Sequence, residues 1–393
     1  MNNHSKLIGA TLIVAGTAIG AGMLALPLAT SAVGFWPALA LMIACWGLSA
    51  YSALLMLEVN LKVGSDVNFH NMSGRVFGAK GQAVAMVSML GLLYALTAAY
   101  LSGGGSLLTL KLQGLMTLPD GSASVIFAIL LGSFTVFGIR YIDALTKLMF
   151  TVMMLALALV LFGLLPEVQP SNLPTAEATT GASLVALLPV LITSFGFHVC
   201  IPTLVRYLDG DVKQLRTALL VGSTLPFVCY VLWLLAALGS LTALERAALN
   251  NGDALAALIQ NLSEKAQWGG IGQALTLFAD LALVTSFLGV SLSLYDYLAE
   301  LCRTGNSIAG RLVTWKLTFV PPLLLALFFP GGFVAMLGYA AVPLMVLIVL
   351  LPVAMAYKLR AQQAGYQVAG GQLGLGLATF GGLLVIASQI YVA

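Results

Sequence analysis

Charge is what this sequence has least of. Charged residues make up 8% of its 393 residues, against about 25% in a water-soluble domain, while 60% are hydrophobic. That excludes a soluble fold and predicts an all-α chain that crosses a membrane many times. Cysteine is sparse too. Cys45, Cys200, Cys229 and Cys302 form no CxxC pair, which excludes a disulfide framework and a zinc site. The three histidines, His4, His70 and His198, stand far apart and supply no clustered catalytic set. No enzymatic activity and no cofactor are expected. The formal net charge is only +3, so no nucleic-acid partner is expected, nor is an obligate protein partner evident; the surroundings are lipid bilayer.

Apolar runs, by contrast, are abundant, and a membrane span needs about 20 such residues. Eleven runs reach that length, at approximately 7–30, 35–60, 82–112, 122–139, 142–165, 183–207, 215–240, 270–301, 312–329, 332–357 and 373–392. With the N-terminus in the cytoplasm, fourteen of the 17 basic residues fall in cytoplasmic segments; Lys111, Arg246 and Lys265 remain outside. This asymmetry is the positive-inside pattern, and it places the C-terminus on the far side. The first run has the length of a span, not of a signal peptide.

The runs divide into two similar halves. The third and eighth are the longest, and each follows a polar segment that reads as partly helical, Val67–Phe77 in one case and Leu244–Ile259 in the other. The first run contains Gly16-Thr17-Ala18-Ile19-Gly20-Ala21-Gly22. Each glycine costs a helix roughly 1 kcal/mol relative to alanine. The sixth contains Thr193-Ser194-Phe195-Gly196-Phe197-His198-Val199-Cys200-Ile201-Pro202, interrupted by Gly196 and Pro202. Freed backbone groups are tolerated at membrane depth only inside protein or beside a water-filled cavity. Five spans is an odd number, so the second half is inserted upside down. The expected plan is a single transporter domain: inverted repeat one at about 7–165, inverted repeat two at about 183–357, and an additional helix at about 373–392.

The stretches Val14 to Leu24, Tyr94 to Tyr100, Thr193 to His198, Phe278 to Leu283, Thr285 to Val290, Gly310 to Leu312 and Phe333 to Ala340 resemble the bacterial hydroxy/aromatic amino acid permeases. These belong to the amino acid–polyamine–organocation superfamily, and the resemblance runs almost the full length. It implies a five-plus-five inverted repeat with broken helices 1 and 6. It implies import of an aromatic amino acid with a proton by alternating access across the bacterial inner membrane. Tyrosine is the first substrate expected; tryptophan, phenylalanine or a broader set of neutral amino acids is the alternative, with sodium as the alternative coupling ion.

Such a substrate is a zwitterion with an aromatic ring. Its carboxylate suits the amides of Gly20, Ala21 and Gly22 at the start of a half-helix. Its ammonium suits carbonyls near Thr17, Ala18 and Ser194. Phe195 and Phe197 flank Gly196 and are expected to stack on the ring, with Tyr94 and Thr97 three residues apart on one face of the third span. Tyr100 reads as an interfacial anchor. Asp280 lies well inside the eighth span, where an ionisable group costs at least ~2.5 kcal/mol, so it is a candidate proton carrier. His198 is the other, alongside its reading as a substrate contact or a neutral histidine bonded to a freed carbonyl. In sodium-coupled relatives of the fold, a hydroxyl pair in the eighth span joins carbonyls of the first; the resemblance places Thr285 and Ser286 with Gly16 and Ile19 in those roles. Asp143 and Lys147 read as a salt bridge at the cytoplasmic end. A channel and a membrane enzyme are the competing classes. The first fits two inverted broken helices poorly, and the second lacks a nucleophile–base set.

Overall fold

The computed structural model describes residues 3–64, 67, 69–113, 119–137, 139–173, 179–249, 253–266, 269–305, 307–329, 331–362 and 364–392, and at residues 3, 136–137 and 139–144 the backbone alone. The first apolar run forms two helices, α1 (Asn3–Ala18) and α2 (Gly22–Thr30), bent by 51° across the glycine stretch. Then come α3 (Phe35–Val63), α4 (Phe69–Leu112), α5 (Ser122–Gly132) and α6 (Ile139–Leu164). The sixth run is again two helices, α7 (Gly181–Thr193) and α8 (Ile201–Tyr207), joined by an unwound stretch and a 3₁₀ turn at His198–Cys200. It continues as one 27-residue span without the sharp bend of the first. The chain then makes α9 (Val212–Ser240), the short α10 (Ala243–Ala248) and α11 (Ala254–Lys265), and α12 (Ile271–Cys302). It ends with α13 (Ile308–Phe328), α14 (Phe333–Met345), α15 (Leu351–Arg360) and α16 (Gly371–Val392).

Among the described residues, nine helices are long and apolar enough to cross a membrane, or ten with α1 and α2 counted as one span. The run expected at 122–139 is a shorter apolar helix, Ser122–Thr135. At 1.5 Å per residue such a helix covers roughly 20 Å of a ~30 Å hydrocarbon core. Its end tightens into a 3₁₀ turn, Ser133–Phe137, while the Gly132 carbonyl accepts from Trp315 Nε1 at 3.1 Å and Thr135 Oγ1 at 2.7 Å. The helix expected at Val67–Phe77 is the first part of α4, set off from the span by Gly78 at φ 67°. The one expected at Leu244–Ile259 is two helices, α10 and α11.

The long α4 and α12 pack on each other; α12 also lies against α6, α14 against α4 and α7, and α1 against α9. At the basic end of the bundle, the Glu58 side chain is wholly buried. Arg360 grips it through Nε and Nη2 at 2.8 and 2.7 Å, and the Val368 amide donates to it at 2.8 Å. Lys62 Nζ lies 3.4 Å from the same carboxylate. This cluster joins α3 to α15 and to the strap that leads into α16. A carboxylate so placed is costly to bury, and its partners make it tolerable.

At the opposite end α10 and α11 cover the bundle, α11 burying Leu255, Leu258, Ile259 and Leu262 against α12, α4 and α2. Glu245 closes a capping box with Thr242 and pairs with Lys265 at 2.8 Å. Burial pushes its carboxyl up, but hydrogen bonds from Lys265 and from the Thr242 amide and hydroxyl outweigh that and hold it below the ordinary range. A lowered carboxyl contributes stability above its unfolded pKa of about 4.3 and loses it as pH falls through the folded value. Acidification through that window should therefore speed hydrogen exchange in 242–265, corrected for intrinsic rates, more than in α12. Equal protection in both segments at low pH would refute the coupling.

Candidate substrate site

Glycine decides the local path of the first break. α1 stops at Ala18, where the Ile19 amide still reaches Ala15 O, and α2 restarts with Met23 N on Gly20 O and Leu24 N on Ala21 O. Between them, Ala21 N donates to Ser286 Oγ at 2.8 Å. The amides of Gly20 and Gly22 make no backbone hydrogen bond within the break. Both glycines also permit close approach. A Cβ at Gly20 would lie 2.5 Å from Ser286 Oγ, and one at Gly22 would lie 3.2 Å from Ser194 Oγ.

The second break follows from a Gly and two prolines. Pro189 sits inside α7 and Pro202 in the first turn of α8, and the chain unwinds between them through Ser194 to Phe197. Its carbonyls are claimed by neighbouring helices: Ser49 Oγ donates to Phe195 O at 2.7 Å. Tyr230 Oη of α9 lies 2.9 Å from Ser194 O and 2.7 Å from Ala18 O of the first break. Trp233 Nε1, one turn on, donates to Met23 O at 2.9 Å.

A cavity of about 860 Å³ lies where the two breaks meet. It reaches the basic end of the bundle at His70, Arg206 and Tyr297, and Val199 on its wall is 66% exposed. The other end is shut: Met23 to Leu26 are wholly buried, backed by Trp233 edge-on to Phe278 at 5.4 Å.

Gly16, Thr17, Ala18, Ile19, Gly20, Ala21, Gly22, Ser194, Gly196, His198, Thr285 and Ser286 all line this cavity. Within it, Thr285 Oγ1 donates back to Leu281 O at 2.7 Å, while Ser286 holds the Ala21 amide. His198 Nε2 pairs with the Ser52 hydroxyl at 2.8 Å, and its ring stacks on Phe197.

Other residues singled out in the sequence lie elsewhere. Tyr94 turns to α13 and donates to Leu317 O at 2.8 Å. Thr97 is buried and donates to Leu93 O on its own helix. The face of α4 on the cavity is instead Leu93, Leu96 and Tyr100, which displaces the anchor reading of Tyr100. Phe195 and Phe197 are wholly buried behind the breaks, Phe195 against Tyr230 at 5.3 Å. Asp280 is off the cavity and pairs with Lys111. The side chain of Asp143 lies outside the described residues, so the pairing expected with Lys147 does too.

Several cavity residues escaped the sequence reading: Phe150 of α6, and Leu337, Leu344, Leu347 and Ile348 around α14. The last two sit in a π-helical turn, Val346–Leu350, between Pro343 and Pro352; that proline pair was the available signal, since π-bulges concentrate at functional sites. No sequence signal pointed to Tyr230. Among the described residues no group of His, Cys, Asp or Glu is placed to hold a metal.

Residues 3–389 match the tryptophan/tyrosine permease family. The chain belongs to that family. This permease is 41% identical to the tyrosine-specific transport system 1 of Haemophilus influenzae, over 97% of this chain and 96% of that one. It is 35% identical to the tryptophan-specific transport protein of the same organism, over 98% and 96%. Its fold matches the solved structure of the manganese transporter of Eremococcus coleocola with a TM-score of 0.65, covering 98% of the permease and 85% of that chain at 12% identity. The last likeness is one of fold alone. The relatives are transport proteins, and the permease is a multi-pass membrane protein.

Proposed function

We propose that this permease is a secondary carrier that imports an aromatic amino acid, tyrosine first, together with a proton, across the bacterial inner membrane. The observation that carries the reading is the pair of breaks facing one cavity. Unpaired amides at Gly20 and Gly22 offer donors to a carboxylate at the start of α2. Carbonyls of Ala18 and Ser194 offer acceptors to an ammonium, with no charged side chain between them. The aromatic ring has Leu93, Leu96, Tyr100, Phe150, Leu337 and Leu344 to lie against, in a cavity within the usual range of about 300–1,000 Å³ for small-molecule sites. The basic end, where the cavity opens, is the cytoplasmic side by the positive-inside pattern. The arrangement then corresponds to the inward-facing half of an alternating-access cycle, with the two halves of the chain as inverted repeats.

Counterflow in proteoliposomes tests this. Internal unlabelled tyrosine should accelerate entry of labelled tyrosine; absence of trans-stimulation would indicate a channel, and chemical alteration of the label an enzyme. A competition series with tyrosine, tryptophan and phenylalanine ranks the substrates.

For coupling, His198 is the proton candidate on the cavity and Asp280 the one off it. Uptake should follow an imposed pH gradient and collapse with a protonophore. The second reading, sodium coupling, is favoured by Gly16, Ile19, Thr285 and Ser286 all lining the same cavity. Equal drive by a sodium gradient at constant pH would replace the proton with sodium.

A further inference from the structure

Tyr230 stands between the two breaks in a way that the proposed function leaves unexplained. Its ring is wholly buried and packs on Phe195. Its Oη lies 2.7 Å from Ala18 O and 2.9 Å from Ser194 O. A phenol carries one O–H proton, and both neighbours are pure acceptors. At any moment the proton serves one carbonyl, and the other carbonyl faces the phenol oxygen lone pair to lone pair. Three oxygens converge with one proton among them, at a cavity whose adjoining Gly20 and Gly22 amides are donors without partners. The cluster lacks a second hydrogen-bond donor, and a buried acceptor without one costs about 1–3 kcal/mol. Trp233, one turn along the same face, meets its single acceptor, Met23 O, with its single donor and leaves no such deficit.

We propose that Tyr230 is the positioning residue for the substrate's ammonium: its one proton secures either Ala18 O or Ser194 O and leaves the other carbonyl for an N–H of the substrate. This inference rests on the reading that the cargo is an α-amino acid. It makes recognition of the amino group a property of a neutral hydroxyl on α9 and of backbone oxygens. It also makes that recognition depend on both breaks being held together, because the two carbonyls belong to different half-helices.

The test compares three inhibitors of labelled tyrosine uptake in proteoliposomes. They are L-tyrosine, 4-hydroxyphenyllactate with a hydroxyl in place of the ammonium, and 3-(4-hydroxyphenyl)propionate with neither. In the wild-type permease the lactate, which brings one donor, should bind about tenfold more tightly than the propionate, which brings none. Equal binding of the two overturns the proposal without any variant. Tyr230→Phe keeps the ring packing and removes the hydroxyl. It should raise the inhibition constant of tyrosine by about 10–100-fold, because the hydroxyl that ties the two half-helices together is gone and neither carbonyl is held where the ammonium meets it, and move that of the propionate by less than about threefold. Tyrosine and propionate weakened by the same factor would mean a structural cross-link only, and would overturn the assignment. Trp233→Phe deletes the neighbouring bond to Met23 O and should leave the ratio of tyrosine to propionate intact; a collapse of that ratio would assign the effect to α9 packing instead. If labelled tyrosine, tryptophan and phenylalanine all fail to enter through the wild-type protein, the amino acid reading itself is refuted, whatever Tyr230 does.

Discussion

Gly22→Val should abolish tyrosine uptake while the protein stays in the membrane at its normal level. From the sequence, the reason would be obstruction of the ligand at the bare backbone. The structure supplies a second and stronger one. A Cβ at Gly22 lies 3.2 Å from Ser194 Oγ and 3.4 Å from Ser194 Cα, so α2 and α7 touch there through backbone. The two γ-methyls of valine have no room beyond that Cβ. Overpacking of this kind costs about 1–3 kcal/mol, and the strain is relieved by moving α2 away from α7, which separates the Gly20 and Gly22 amides from the second break. Gly22→Ala should retain partial uptake, because its single carbon needs Ser194 to give by only a few tenths of an ångström. Gly20→Ala is expected to be worse than Gly22→Ala. Its Cβ would lie 2.5 Å from Ser286 Oγ and drive that hydroxyl from the Ala21 amide it satisfies. The measurement is initial uptake of labelled tyrosine normalised to the amount of protein in the membrane. Wild-type uptake by Gly22→Val would eliminate the two breaks as the site.

Glu58→Ala should produce the largest loss of stability among single substitutions at the basic end. It removes the carboxylate that Arg360, Lys62 and the Val368 amide all face. It leaves the Arg360 guanidinium, 13% exposed, and the Lys62 ammonium without their counter-charge. Breaking a buried pair from one side typically costs about 3–5 kcal/mol, whereas replacing both partners with apolar groups of similar volume is often close to neutral. Thermal unfolding of the purified protein in detergent should therefore show a marked fall in midpoint for Glu58→Ala and substantial recovery for the double variant Glu58→Met with Arg360→Met. A double variant no more stable than Glu58→Ala would mean that the cluster acts through the strap to α16, not through its charges.

The two helix breaks were legible in the sequence alone. Gly16 to Gly22 and Ser194 to His198 announce breaks because no apolar side chain compensates a helix for three glycines or for a proline. Both stretches do reach one cavity. What misled was the choice of side chains around them. Tyr94 and Thr97 read as polar groups on one face of the third span, yet their partners are Leu317 O of α13 and the helix's own Leu93 O. Asp280 stands out in sequence as a charge inside an apolar run; Lys111, on the last turns of α4, answers it. Glu58, far better buried than Asp280, gives no such signal, because in sequence Lys62 and Arg360 read only as markers of orientation.

The sequence by itself determined that this chain lives in a bilayer, roughly where it crosses and where two crossings must come apart. Those properties depend on local composition: runs of apolar residues have one stable place, and backbone that cannot stay helical must find partners indoors. Only the tertiary structure decided which face of each helix meets the cavity, which carbonyls are already taken, and that a tyrosine on α9 bridges both breaks. In a membrane helix the lipid side and the cavity side are both apolar, so the periodicity that marks the inside of a soluble helix is nearly absent. The assignment of Leu93 to the cavity and Tyr94 to a neighbour is made by packing alone.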